Sequence, residues 1–247
     1  MSSPDSIKVV LLGEAGVGKT SIIQQFAYHQ FDPDCLSSIT AQFISKTMDY
    51  KGYGTIKFDI WDTAGQEKYR SMARIFYKDA KVVIFVYDIT SYSTFEGIKD
   101  YWYQQIKINC ENDAILALVA NKNDLYDAQK ISDETGQQFA DSIDAIFQST
   151  SALSDSGIAK LFEHIGKKII DPEYDYKDSD NKAKAKYNLK LKSQKENNSG
   201  NNNIKLENSN TNNKKSGCCN WILIKNILFK IYLMNEYILD HKDNYNI

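Results

Sequence analysis

Neither sign of charge dominates this chain. Thirty lysines and arginines stand against 32 aspartates and glutamates in 247 residues, for a formal net charge of −2. Without a basic surplus there is no electrostatic case for nucleic acid as the main partner. Cysteine is scarce as well. Cys35, Cys110, Cys218 and Cys219 show neither the density of a disulfide framework nor the spacing of metal ligands, which fits a reducing compartment. Met1-Ser-Ser-Pro-Asp-Ser6 has no basic stretch leading into an apolar run, so no signal peptide is expected and the protein should begin in the cytosol. Internal repeats are absent. Between Pro172 and Gly217 large apolar side chains almost disappear in favour of Lys, Asn, Ser and Asp, and such a stretch cannot bury enough surface to fold alone.

The most informative stretch present is Gly13-Glu-Ala-Gly-Val-Gly18-Lys19-Thr20. It follows the apolar run Ile7–Leu12, a buried strand, and opens into Ser21–Tyr28, a helix. Glycines in a strand–loop–helix let backbone N–H groups turn toward one point, and the helix N-terminus adds partial positive charge. Lys19 can reach β- and γ-phosphates, and Thr20 can offer its hydroxyl to Mg²⁺. This is a nucleotide cradle.

Up to about Asp171 strand-like runs alternate with helical ones. Strands are expected near Ile7–Leu12, Ala41–Asp49, Thr55–Trp61, Lys81–Tyr87, Ala114–Val119 and Ile143–Gln148, the second and third joined as a hairpin by Lys51-Gly-Tyr-Gly54. Helices are expected near Lys19–Tyr28, Ser93–Asn109, Asp133–Ala140 and Gly157–Ile170, with Ser93 and Glu96 as a capping box. The pattern predicts an α/β fold with a six-stranded, mostly parallel sheet covered by helices on both faces. Ligands of such sheets bind beyond the carboxyl ends of the strands, where the remaining motifs fall. Asp62-Thr-Ala-Gly65-Gln66 ends the third strand. There an acidic side chain can hold Mg²⁺, usually through water, the Gly65 amide can sense a γ-phosphate, and Gln66 can orient an attacking water. Asn121-Lys122-Asn-Asp124 follows the fifth strand. The Asp124 carboxylate can accept from guanine N1–H and the exocyclic amine, whereas adenine would leave it unpaired.

Taken in order, these motifs resemble a small GTPase of the Ras superfamily, and specifically its Rab family, over residues 6–171. Trp61–Glu67, Lys68–Ala73, Phe76-Tyr-Lys-Asp-Ala80 and Val86-Tyr-Asp-Ile-Thr90 are all similar to Rab signatures. The resemblance implies a P-loop small G domain that binds GTP/GDP with Mg²⁺. Nucleotide contacts would come from Ala15, Gly16, Val17, Gly18, Lys19, Thr20, Ser21, Phe31, Ser38, Gly65, Asn121, Lys122, Asp124, Ser151, Ala152 and Leu153. Phe31 lies twelve residues after Lys19, where the family sets an aromatic edge on the base; the alternative is a core residue. Mg²⁺ would be held by Thr20, Ser38 and Asp62. Thr40 competes with Ser38, but the family's spacing from the P-loop lysine, and back from the Rab-like aromatic Phe43, implies Ser38. Gln66 would be the catalytic residue. Ala15 stands where relatives carry glycine or serine, which can crowd Gln66 and slow intrinsic hydrolysis. Phe43, Trp61 and Phe76 match an aromatic triad shown to effectors, and core packing is their alternative. His29, His164 and His241 show no partner pattern and read as ordinary surface or helix residues.

The function implied is a Rab-type GTP/GDP switch in vesicle traffic, slow without an activating protein; a GTP-dependent binding module with little or no hydrolysis is the alternative. Expected partners are an exchange factor, an activating protein, effectors and escort or extraction proteins, with the protein monomeric and peripheral to cytosolic membrane faces. Ile39-Thr-Ala-Gln-Phe43 is closer to the endosomal branch. Residues 172–217 are expected to be a tether with an r.m.s. reach of roughly 35–40 Å. Cys218 and Cys219, after Lys214-Lys215, match a doubly geranylgeranylated pair, yet prenylation needs a nearby chain end and residues 220–247 follow. Three readings of that tail stand: translated non-coding sequence, an interfacial helix over Trp221–Leu239, or a membrane span, the last opposed by a length of only about 28 Å and internal Lys and Glu.

Overall fold

The computed structural model describes residues 6–33, 42–63, 76–109 and 113–181. Strand β1 (Ser6–Leu12) alternates across its pleat. Val9 and Leu11 enter one apolar cluster, Val10 and Leu12 the other, and all four are fully buried. A strand buried on both faces belongs in the middle of a covered sheet. Its parallel neighbours are β3 (Gly54–Asp62) and β4 (Val82–Asp88). Outside β3 lies β2 (Gln42–Tyr50), antiparallel to it. Beyond β4 come β5 (Ile115–Asn121) and β6 (Ala145–Ser149), both parallel. The order is β2-β3-β1-β4-β5-β6. The six-stranded, mostly parallel sheet and its antiparallel hairpin are as expected.

Helices α1 (Lys19–Tyr28) and α5 (Ile158–Ile170) cover the face that carries Val9 and Leu11. There Phe26 stacks on Phe162 with ring centroids 3.6 Å apart. Tyr50, at the end of β2, lies against Gly166 of α5, where any Cβ would overlap the phenol; its hydroxyl donates to the Phe162 carbonyl at 2.7 Å. The opposite face carries α2 (Tyr92–Gly97), a π-helical turn (Ile98–Trp102), α3 (Tyr103–Asn109) and α4 (Asp133–Ser142).

That single expected helix over Ser93–Asn109 is therefore three segments, and its start differs too. Ser91 occupies the N-cap and Ser93 does not cap. Thr94 Oγ1 closes the turn instead, donating to the Ser91 carbonyl at 2.7 Å and accepting from the Asp88 N–H at 3.1 Å, while Ser93 Oγ sits 3.1 Å from Ser91 Oγ. A true N-cap occurs at α4, where Ser132 Oγ accepts from the Thr135 N–H at 3.2 Å. A 3₁₀ helix over Asn123–Ala128 was not expected.

The second correction concerns the start of the tether. Residues 172–181 are packed on the domain, with a helical turn at 176–181. The Tyr174 hydroxyl lies 2.8 Å from His164 Nδ1, Gln137 donates to the Tyr176 hydroxyl at 2.7 Å, and Tyr176 joins the α1/α5 cluster. Lys177 pairs with Asp141 at 2.6 Å, and Lys160 with Asp180 at 2.6 Å. Two tyrosines supply the ring area that the polar composition of the stretch conceals. His164 is a helix residue, as one of its two readings had it, but a buried and partnered one: it is 2% exposed, and its Nε2 lies 3.2 Å from Asp180 Oδ1. Among the described residues no helix is long and apolar enough to cross a membrane.

Candidate functional site

Because five strands run parallel, β1, β3, β4 and β5 end on one edge at Leu12, Asp62, Asp88 and Asn121, and β6 ends there at Ser149. The loop after β1 turns sharply, since a Cβ at Gly13 would overlap the Val86 carbonyl. Gly18 then caps α1 at φ 96°, and a Cβ there would collide with the Asn121 amide. Only glycine meets both demands, a left-handed backbone and no side chain. Ala15 and Gly16 are exposed at the loop crest, Val17 is buried beneath it, and Ser21 is partly buried in the first turn of α1.

Lys19 is 5% exposed and donates to the Gly13 and Glu14 carbonyls, each at 2.9 Å. Burial lowers its pKa from 10.5 to about 8, opposed by the Asp62 and Glu14 carboxylates. Thr20 Oγ1 donates to Asp62 Oδ2 at 2.5 Å, so the hydroxyl and the carboxylate proposed for a metal come together from α1 and β3. Two hard oxygens beside a phosphate cradle suit Mg²⁺, which is held by one or two protein groups plus phosphate oxygens rather than an all-protein cage. No group of three or more His, Cys, Asp or Glu fit for a metal occurs among the described residues.

The base-side loops brace one another. The Asn121 amide donates to the Val17 carbonyl at 2.8 Å and its oxygen accepts from Thr150 Oγ1 at 3.0 Å, tying the phosphate loop to the loop after β6. Ser151 Oγ donates to Asp124 Oδ1 at 2.5 Å, and the Ser154 N–H donates to Ser151 Oγ at 3.1 Å. Ser151 and Ala152 are buried, while Leu153 is exposed. Lys122, at φ 67°, pairs with Asp88 at 2.6 Å. Burial pushes the Asp88 carboxyl up, but hydrogen bonds from Lys122 and Thr90 outweigh it and the net shift is downward. Phe31 is 37% exposed, an edge residue rather than core. Phe43 and Trp61 face each other across β2 and β3 with centroids 5.1 Å apart, and Phe76 lies 5.8 Å from Trp61. All three are partly buried, so they form one aromatic strip at the surface. Ser38, Thr40, Gly65, Gln66, Cys218 and Cys219 lie outside the described residues.

Some of the bracing was missed from sequence. Asn123 donates its N–H to the Thr150 carbonyl at 3.0 Å and accepts from Ser156 Oγ at 3.2 Å. Thr63 donates to the Leu11 carbonyl at 2.6 Å. Asp88 is the partner of Lys122. Position at a strand end was the available signal for Asp88 and Thr63; nothing local marks Ser156.

Residues 8–171 match the Ras family. The chain belongs to that family. Human Ras-related protein Rab-22A is 40% identical over 163 residues, 66% of this chain and 83% of the relative. Ras-related protein RabJ of Dictyostelium discoideum is 39% identical over 66% of this chain and 63% of its own length. Ras-related protein RABF2b of Arabidopsis thaliana is 38% identical over 66% and 80%. This Ras family member is a Rab-type small GTPase that binds guanine nucleotides, hydrolyses GTP to GDP and regulates membrane traffic together with regulators and effectors. Nothing supports a binding module without hydrolysis.

Proposed function

We propose that the nucleotide lies along the carboxyl edge of the sheet, with its phosphates at the N-terminus of α1 and its base between Asp124, Ala152 and Phe31. The observation that carries this reading is the convergence of Lys19, Thr20 and Asp62 at the start of α1, with Thr20 and Asp62 2.5 Å apart. Amides of Ala15 to Lys19 cradle the phosphates, and Lys19 exchanges its two backbone carbonyls for β- and γ-phosphate oxygens. Thr20 and Ser38 would hold Mg²⁺, with Asp62 assisting, and the ion would neutralise charge that builds on the phosphate oxygens. Gln66 orients the attacking water and the Gly65 N–H senses the γ-phosphate, so hydrolysis releases both segments. Asp124 reads the base, fixed in rotamer by Ser151.

The domain under this proposal runs from 6 to 181 rather than to 171. The strip of Phe43, Trp61 and Phe76 serves as the effector face. An exchange factor, an activating protein and an escort protein are the regulators. Support for the endosomal branch comes from similarity to Rab-22A, and attachment is assigned to lipid on Cys218 and Cys219. Asp124→Asn tests the base contact. Preference should move from GTP toward xanthosine triphosphate by at least tenfold, the price of one mismatched hydrogen bond to a buried polar group being about 1.4 kcal/mol or more. Unchanged GTP affinity, measured by fluorescent-nucleotide competition, would remove Asp124 from the base.

A further inference from the structure

Glu14 places a carboxylate in the second position of the phosphate loop, where negative charge is adverse to a phosphate ligand. Its side chain is drawn to the helix beyond β4. Trp102, fully buried, donates its indole N–H to Glu14 Oε1 at 3.2 Å. The same oxygen lies where only glycine leaves room: a Cβ at Gly97 would stand 2.8 Å from it and 3.2 Å from Glu14 Cγ. Gly97 ends α2, and Trp102 ends the π-helical turn that follows. A π turn adds a residue to the helical register and re-aims the side chains after it, and such turns concentrate at functional sites. Meanwhile the Glu14 carbonyl accepts from Lys19 Nζ, so one residue links the buried indole to the cradle lysine.

We propose that Trp102 is a positioning residue for the nucleotide: its indole N–H, together with the gap left by Gly97, holds the Glu14 carboxylate on the helix and away from the phosphates. Released from that hold, Glu14 repels the phosphates across a poorly screened distance, and the loop loses the anchoring that sets its amides in place before binding. The inference rests on the proposed cradle, and the wild-type protein's own GDP affinity tests that cradle separately.

Release of fluorescent GDP from the Mg²⁺-loaded full chain tests the lock. Trp102→Phe keeps a ring in the core but removes the donor, and should speed release about tenfold, the factor carried by one charge-assisted hydrogen bond. Glu14→Gln alone keeps an acceptor and should stay within about twofold of wild type. Trp102→Phe combined with Glu14→Gln should return to within about threefold, because a neutral amide does not repel phosphate. A cavity in the core would not be repaired by a change at Glu14. Wild-type release from Trp102→Phe, or failure of Glu14→Gln to rescue it, overturns the proposal. Gly97→Ala approaches the same carboxylate from α2 with better helix propensity, and so covers a Trp102 variant that fails to fold. It too should accelerate release and be rescued by Glu14→Gln, and an unchanged rate would sink the lock.

Discussion

Lys19 shows how far one buried charge can set the behaviour of the phosphate loop. Its folded pKa of about 8 lies below the ordinary 10.5 because burial disfavours the ammonium. Between those two values the unfolded chain binds more protons than the folded one, so stability of the nucleotide-free domain rises as pH climbs from about 8 to about 10.5. Bound phosphates favour the ammonium and abolish that rise. Binding near pH 8 therefore takes up about half a proton. Calorimetry of GDP binding at pH 8 in two buffers of different ionisation heat should show that uptake, with affinity falling as pH rises above 8. Buffer-independent heats would mean that Lys19 does not meet the phosphates. At this scale the sequence was most legible. Lys19, Thr20, Asp62 and Asp124 announce themselves by type and spacing, and the structure brings the first three to one point. Glu14, Asp88 and Ser156 did not, since each acts on a residue far away in the chain.

Among the elements, the strands were readable because a covered parallel sheet demands long apolar runs, and β4 is buried along its whole length. Helix composition was harder to read. The π turn at Ile98–Trp102 leaves the apolar spacing almost helical, so periodicity alone reports one helix. Residues 172–181 were hidden for another reason: composition averaged over a polar tail dilutes Tyr174 and Tyr176. Their docking also buries His164, which faces Asp180 and, from its own helix, Lys160, Glu163 and Lys167. Burial holds the His164 pKa below its usual 6.5, with Asp180 opposing. A lowered histidine binds fewer protons folded than unfolded, so this segment's stability is present above the unfolded value of about 6.5 and is lost as pH falls through it. Tyr174→Ala should cost about 1 kcal/mol and lower the melting temperature by about 2–4 °C. It should also flatten the dependence of melting on pH between 7 and 5, which His164→Gln should flatten in the same way. A melting curve that keeps the wild-type pH dependence in both variants would deny His164 that role.

For the whole molecule, the proposed membrane attachment has two candidate means, lipid on Cys218 and Cys219 or a helix over Trp221–Leu239. Under lipid attachment the native chain ends within a few residues of Cys219, and intact mass shows two geranylgeranyl groups. Changing both Cys218 and Cys219 to Ser should then move the protein to the cytosolic fraction. Under attachment by Trp221–Leu239 that variant stays on membranes, while Leu228→Asp with Ile231→Asp releases it. Retention of the cysteine variant sinks the lipid, and its release alone sinks the helix. Sequence composition marked the change of character after Pro172, but only packing shows that the fold continues past it.

Residues 172–181 double back along α5. Asp171 follows the last residue of that helix, yet Asp180 has returned to Lys160, ten residues before Ile170 and so about 15 Å back along its axis. A pull on the chain beyond 181 directed away from the domain would meet these contacts in series. Such a pull would reach the Asp180 pairs first, then the Lys177–Asp141 pair, then Tyr176 and Tyr174, peeling the strap one hold at a time. Each complete release pays out ten residues, or about 33 Å of extra contour. Under the proposed attachment the strap would act as a reserve of slack, letting the GTPase reach farther from its anchorage without unfolding the domain.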